Sequence, residues 1–425
     1  MNKNFKPIVI AQIYLSFVLV LFLFGPLKWR LNYPFITVGF LILGQVFLFM
    51  GYLVSMKKNR INIQKRNKEN NLPLPYLSII IIFTFIMNLL TIFIRHGLLD
   101  LSTISRIISN FGEVSSSLYN NKINSSSSSL FTMFSTLTAP ISYLGIPLTL
   151  YNFSKLKFRL KLIGIMNILL ECLKWLLIGT NKGLIDLFLM FIAIYYLKRE
   201  NIKRNNIAVK ILLVTLATLV LLIFSVNISS RIGQNIYVLS NITNGTKIDF
   251  QGSFFQWVPE SLKYLIIYIT IYLTQGFYAI DLAFQVNFIP MFGIGNSNFL
   301  IEKFQGIFGT NFFQYTYQSR LESIGWSSTV NWHSVYLWFA NDISLLGIFP
   351  LMFLAGYYFY FVTYQAIITK KAVYIGLFCL MVQFIFYIPM NNQVLSYPSS
   401  FMAFIIYNLS VLINKRKKVR KNMYA

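Results

Sequence analysis

The sequence predicts an all-α polytopic integral membrane protein, and three observations carry that expectation. The 425 residues are 56% hydrophobic and 12% charged, about half the charge of an average soluble domain. The apolar residues are gathered into blocks roughly 20 long, the length that crosses a bilayer as a helix. The 37 Lys and Arg residues, against 12 Asp and Glu, cluster between those blocks, as the positive-inside rule describes for cytoplasmic loops. In a soluble chain a net charge of +25 would suggest a nucleic-acid partner. Arranged in this way it reports topology, and no nucleic acid is expected.

Ten blocks can span: 8–24, 35–55, 77–94, 130–151, 162–178, 183–197, 211–226, 343–367, 373–390 and 397–413. The first follows a basic flank, but Gly25, Pro26, Leu27 and Lys28 do not make a small-residue cleavage site, so it is read as a retained span. Placing both termini in the cytoplasm puts 25 Lys and Arg inside and 11 outside, with Lys174 within a span. One further segment, 262–285, is apolar enough to enter the membrane. A single extra crossing there would invert every later loop and place the basic cluster at 415–421 outside. The expectation is therefore about ten transmembrane helices plus a re-entrant or interfacial segment, or a pair of crossings returning through 287–300. Irregular backbone at depth needs protein or a water-filled cavity around it.

The whole chain reads as a single polytopic membrane domain, 1–425, with extracytoplasmic loops at 95–129, 227–261 and 286–342. The first contains the serine run 125–129, a low-complexity linker to which no chemistry is assigned. The cytoplasmic loops are short and basic and carry no Gly-rich phosphate motif, which argues against an ATP-driven pump or a cytoplasmic nucleotide-sugar enzyme. No inverted pair of Gly/Pro-broken spans of the transporter kind is evident. Cys172 and Cys379 both lie in apolar blocks, so no disulfide framework or metal knuckle is expected.

Candidate chemistry concentrates on the outer side. There are two histidines, His96 and His333. His333, in "STVNWHSVYLWFANDISLLGIFP", could as a neutral imidazole accept a proton from an attacking hydroxyl; the alternative is an interfacial ring in an aromatic belt. The outer arginines are Arg30, Arg95, Arg106, Arg231 and Arg320. A guanidinium matches phosphate oxygens bidentately and stays charged, although each could equally snorkel to the headgroups. Lys182, in the turn "IGTNKGLID", has the same two readings. Glu171 and Lys174 share a helix face at i and i+3, and pairing is their default because a lone charge at membrane depth is costly. Asp186 can approach Lys182, its i−4 neighbour. The other outer acids, Asp100, Asp249, Glu260, Asp281, Glu302, Glu322 and Asp342, form no D-x-D or H-E-x-x-H pattern, so neither a metal nor another cofactor is expected.

Four features in order resemble the Wzy-type polymerases of bacterial O-antigen and capsular oligosaccharide repeat units. They are the span-turn-span "LLIGTNKGLIDLFLMFIAIYYLKRE", the outer "SSRIG", "IYLTQGFYAIDLAFQ" followed by "FGIGNSNFL", and "WHSVYLWFANDISLLGIFPLMFLAGYYF". Together they cover residues 169–361, with Lys182 where many relatives carry arginine. The resemblance implies a GT-C-like, metal-independent glycosyltransferase on the outer face of the bacterial cytoplasmic membrane. Its donor would be a growing glycan on undecaprenyl pyrophosphate, and its acceptor a new lipid-linked repeat unit. Carried over by residue, Arg231 and Arg320 would bind pyrophosphate and His333 would orient or deprotonate the acceptor. Lys182, Asp281 and Asp342 would be substrate-binding positions, Lys182 by adding positive potential. Membrane lipids, a chain-length regulator and a flippase are the partners implied. An O-antigen-type ligase, which uses the same donor, is the nearest alternative; a glycolipid flippase or transporter, or a sensory membrane protein, comes from other classes.

Overall fold

The computed structural model describes residues 5–59, 73–96, 130–198, 207–232, 236–252 and 255–423. Most of the expected outer loop 95–129, including the serine run, lies outside the described residues, as do the side chains of His96, Arg231 and the basic cluster at 415–421.

In chain order the principal elements are α1 (Lys6–Phe24), β1 (Leu27–Lys28), α2 (Pro34–Lys58), α3 (Leu74–His96), α4 (Leu130–Asn152), α5 (Phe158–Leu177), α6 (Lys182–Lys198) and α7 (Ile207–Ile232). They continue with α8 (Ile236–Ile242), β2 (Lys247–Ile248), α9 (Glu260–Ala283), α10 (Asn298–Phe308), α11 (Val335–Ile343), α12 (Ile348–Thr369), α13 (Ala372–Tyr387) and α14 (Pro398–Met423). Among the described residues the protein is all-α apart from the antiparallel pair β1–β2, where Leu27 faces Ile248. The helices are of the membrane type. α1 buries Ile8, Ala11, Leu15, Val18 and Phe22 on one stripe, yet leaves Ile13 and Phe17 64% and 57% exposed. A helix that is apolar on both its packed and its open face is one whose surroundings are apolar too.

Each of the ten expected segments falls on a helix. Among the described residues seven helices are long and apolar enough to cross a membrane; six coincide with expected spans and the seventh is Leu262–Ala283. Of the other four expected segments, α5 carries Arg159, Lys161, Glu171 and Lys174, α6 has 17 residues, and α13 and the apolar part of α14 are also short. Two expectations are corrected. The span expected at 343–367 starts at Ile348, because Ser344 adopts a left-handed φ of 64° and separates α11 from α12. In 262–285 neither a re-entrant hairpin nor a returning pair of crossings forms, and of the expected alternatives the interfacial helix remains. It is one unbroken helix of 24 residues, about 36 Å long, and 287–297 beyond it is irregular.

The chain divides into two compact units, Met1–Ile63 with Gln234–Tyr364 and Phe384–Tyr397, and Gln64–Gly233 with Gln365–Gln383 and Pro398–Ala425. In the first, α9 packs against α1, α2, β1 and α11. Trp29 on the α1–α2 loop donates from its indole nitrogen to Thr274 Oγ1 at 3.2 Å, and stacks on Tyr278 at 4.9 Å. α9 is therefore clothed by protein, with 72% of its apolar window buried. In the second unit α3, α4, α5 and α14 pack together, tied by Tyr407 Oη donating to the Pro140 carbonyl at 2.5 Å and Asn167 Nδ2 donating to the Ile81 carbonyl at 3.0 Å.

Candidate functional site

His333 lies on a short irregular stretch between the 327–331 turn and α11. The turn is closed by Asn331 Oδ1, which accepts from the Ser327 amide at 3.0 Å, while the Asn331 amide donates to the Ser327 carbonyl at 3.1 Å. Ser334 then caps α11, its Oγ accepting from the Leu337 amide at 3.3 Å, and the Val335 amide donates to the Ile388 carbonyl at 2.9 Å. Gly276 on α9 makes this approach possible. A Cβ there would overlap the Pro389 carbonyl and the Ser334 amide, so a larger residue would push His333's backbone off the helix. One turn earlier the Tyr272 ring meets Trp332 edge-on at 4.6 Å.

The His333 side chain is 1% exposed and its Nε2 has no hydrogen-bond partner. Burial pulls its pKa down to about 3, against a bond to the Asn331 backbone that works in the opposite direction. A bond that favours the protonated ring is one the imidazole donates, which leaves Nε2 as a bare acceptor. The ring is neutral throughout the physiological range. Gln275, on the same turn of α9 as Gly276, also holds a buried and unpartnered Oε1.

Arg320 sits in the one-turn helix Tyr317–Arg320. Its Nε donates to the Thr316 carbonyl at 3.3 Å, its Nη1 to the Asn287 carbonyl, and the guanidinium lies 5.0 Å from the centre of the Tyr317 ring. Nη2 is buried without a partner. Neither ion pair between described residues involves it. Burial lowers its pKa and Tyr317 works against that, but an arginine keeps its charge. Between 318 and 333 there are thus four buried polar atoms without partners, on Gln318, Arg320, Trp326 and His333. Native proteins leave few such groups, and each is a point where water or a ligand could complete the bonding. Trp326 packs on Tyr278 at 5.1 Å, so this stretch, like His333, rests on α9.

The two expected acidic residues are already engaged. Asp281 is fully buried and accepts from the Asn32 amide at 2.7 Å, the Tyr33 amide at 2.9 Å and Thr37 Oγ1 at 2.8 Å. It thereby caps the N-terminus of α2 from α9, where a negative charge is favoured. Asp342 accepts from the Gly293 and Gly295 amides at 2.8 and 2.9 Å and from Asn296 Nδ2 at 2.8 Å. Both carboxylates hold loops, and neither is carried forward as a ligand for substrate.

In the second unit Lys182 forms an i,i+4 pair with Asp186, and its ammonium lies 5.4 Å from the Trp175 ring. Gly183 lets the α5–α6 turn close on that indole, since a Cβ there would enter the Trp175 ring. Glu171 accepts from Lys174 Nζ at 2.6 Å and from Trp175 Nε1 at 2.8 Å. Arg231 is in the last turn of α7, with its side chain outside the described residues. His333, Arg320, Asp281 and Asp342 therefore belong to one unit, and Lys182 and Arg231 to the other. Among the described residues no three His, Cys, Asp or Glu side chains are grouped to hold a metal ion.

Comparison with family models, with curated proteins and with solved structures gives no match. What the fold defines is a class, an all-α membrane protein; the candidate site adds buried polar groups on α9 and the 318–333 segment.

Proposed function

We propose that this chain is a polymerase of lipid-linked oligosaccharide repeat units for a bacterial surface polysaccharide, acting on the outer face of the cytoplasmic membrane with both termini cytoplasmic. The reading rests on the four-part resemblance to Wzy-type enzymes. The observation that carries it is the occurrence, in one unit, of a charged Arg320 without a carboxylate partner and a neutral His333 with an open acceptor nitrogen among the described residues. Polymerisation asks for both groups. The acceptor sugar hydroxyl attacks the anomeric carbon of the undecaprenyl-pyrophosphate donor, the new C–O bond forms as the bond to pyrophosphate breaks, and the electron pair leaves with the pyrophosphate.

Arg320 offers its unpartnered guanidinium edge to the charge that develops on the leaving group. His333 Nε2 accepts a hydrogen bond from the attacking hydroxyl and so aims its oxygen. With a pKa of about 3 the ring is a weak base before substrate arrives. It takes the proton only once C–O bond formation has made that proton acidic and the nearby pyrophosphate charge favours the imidazolium. The proton then passes to the departing pyrophosphate. This division makes His333 first an orienting group and only late a base.

The test is glycan length in a null strain complemented with wild type, His333→Ala or Arg320→Ala, with membrane levels checked by blot. Long polymer from wild type and single capped repeat units from well-expressed variants support the proposal. Full-length polymer left on undecaprenyl in the null points to a ligase. Wild-type surface glycan in the null sinks both.

A further inference from the structure

We infer that the segment from Asn287 to Tyr315 is a membrane-interface anchor. It would seat Phe292, Ile307 and Phe308 in the headgroup–acyl boundary of the bilayer, on the side where the α1–α2 loop lies. The inference concerns a surface, and does not depend on the polymerase reading.

The segment begins where a lipid-facing span begins. Phe284, just past α9, contacts Tyr33 at 6.2 Å and Phe40 at 6.0 Å, which places the end of α9 at the first two turns of α2. There Phe35 and Ile36 are 91% and 55% exposed, on a helix long and apolar enough to span. Within a few residues the chain exposes Phe288, Ile289 and then Phe292, the last at 86%. These exposed apolar side chains follow within eight residues of the Phe284 contact with α2.

Phe292 is presented rather than merely left outside. Its φ of 51° puts a bulky residue in left-handed backbone, followed by Gly293 at 91°. That strained conformation is imposed from both sides. The Met291 amide donates to the Asn341 carbonyl at 3.0 Å, and Asp342 takes the Gly293 and Gly295 amides. Strain of this kind persists where the surroundings over-determine it and tends to mark function. Here its product is an aromatic ring aimed away from the protein.

α10 supplies the second half. It is a bounded helix, with Ser297 Oγ accepting from the Leu300 amide at its start and Gly309 at φ 67° closing its end. Ile301 is buried against Met291 and Trp338. Ile307, further round the apolar arc, and Phe308, two turns beyond Ile301 on the same side at the helix end, are 74% and 62% exposed. Glu302, Lys303 and Gly306 form the polar side, and the Lys303 ammonium lies 5.7 Å from the Phe299 ring. An amphipathic helix that leaves an apolar end open and carries an exposed lysine on its polar side is suited to lying in the plane of an anionic leaflet. One consequence is positional. Asn287, at the root of this segment, receives Arg320 Nη1, so the anchor would hold that guanidinium at headgroup level.

The experiment uses the full chain in bilayers of phosphatidylethanolamine and phosphatidylglycerol. Cys172 and Cys379 are replaced by Ala, and a spin label is placed at Phe292→Cys, Ile307→Cys or Phe308→Cys, with Glu302→Cys as the polar-face control. Expected are labels several-fold more accessible to oxygen than to a water-soluble nickel chelate at the three apolar positions, and the reverse at 302. Apolar positions as open to the chelate as 302 would overturn the inference, because the patch would face water. Positions closed to both reagents would overturn it too, because a protein surface or a second copy would cover them. If the cysteine replacements impair folding, a photo-crosslinking residue at 292 or 308 in the otherwise native chain decides the same point. Lipid adducts support the anchor, and adducts only to protein, or none, reject it.

Discussion

In the second unit the membrane-level charges are neutralised in pairs, Glu171 with Lys174 and Lys182 with Asp186, each only 10 to 19% exposed. In the first unit Arg320 has no carboxylate partner among the described residues and His333 keeps a bare nitrogen. The contrast separates charges that must be hidden from groups left available. A buried pair with its partner in place is close to neutral in stability, and its charge is already compensated. An unpaired guanidinium and an unsatisfied acceptor are costly unless something completes them. Buried atoms without partners occur in the second unit too, on Asn88, Asn167, Thr180 and Asn227, but those are neutral amides and a hydroxyl. The first unit holds Arg320 and the titratable His333; that makes it the place to look for chemistry and gives Lys182 a structural role at least as strong as its expected contribution to positive potential.

Four experiments can break or sharpen this contrast. The largest effect is expected at the open groups: Arg320→Ala and His333→Ala should each lower the polymerisation rate by about 10²- to 10⁴-fold at unchanged membrane levels, read as glycan length. Arg320→Lys should not restore the rate, since a point charge does not reproduce the planar fork. Wild-type polymer from either Ala variant would remove that residue from the site.

Next comes the paired unit. Lys182→Met leaves Asp186 buried without this partner and should cost about 3–5 kcal/mol, measured as a lower melting temperature and reduced membrane level. The double variant Lys182→Met with Asp186→Leu should recover most of it. If the single variant were as stable as wild type but inactive, Lys182 would belong with the open groups.

A smaller loss is expected at Asp281→Asn. The amide can present one acceptor oxygen, but it points an N–H group at donors from the Asn32–Thr37 turn, at a cost of about 1–3 kcal/mol. Specific activity per folded molecule should stay at the wild-type value, and a selective drop in activity would return Asp281 to the substrate-binding set.

The gentlest effect is on pH dependence. The folded state holds His333 well below its ordinary value of 6.5, at about 3, so the unfolded chain binds the extra proton first. The stability associated with the neutral buried ring is present above about pH 6.5 and declines as pH falls toward 3, with about 2 kcal/mol gone by pH 5. His333→Gln should flatten that part of the stability profile. By the same shift, the polymerisation rate should show no acid limb near 6.5 attributable to this residue; such a limb, lost in His333→Gln, would mean that the ring is solvated.

The membrane class was legible because hydropathy and loop charge are local quantities. The two ion pairs were legible for the same reason, since i,i+3 and i,i+4 spacing brings side chains together on any helix. α9 was not. Its Thr270, Thr274, Gln275 and Asp281 are all buried, and they read in sequence as interruptions of an apolar segment. Thr274 and Asp281 meet Trp29 and residues 32–37, some 244 to 249 positions away. The partners of Asp342 were equally out of sight, 46 to 49 residues upstream. The "TQGF" glycine was the available signal for the His333 contact, because a glycine inside a helix points to a close approach of backbone, but nothing in its neighbourhood says what approaches.

The sequence by itself determined that this is an all-α membrane protein, where most of its helices begin and end, and which charges neutralise one another along a helix. Only the tertiary structure decided which polar groups remain open. That outcome depends on partners hundreds of residues apart, and a hydrogen bond is satisfied by what stands within about 3 Å of it in space, whatever separates the two groups along the chain.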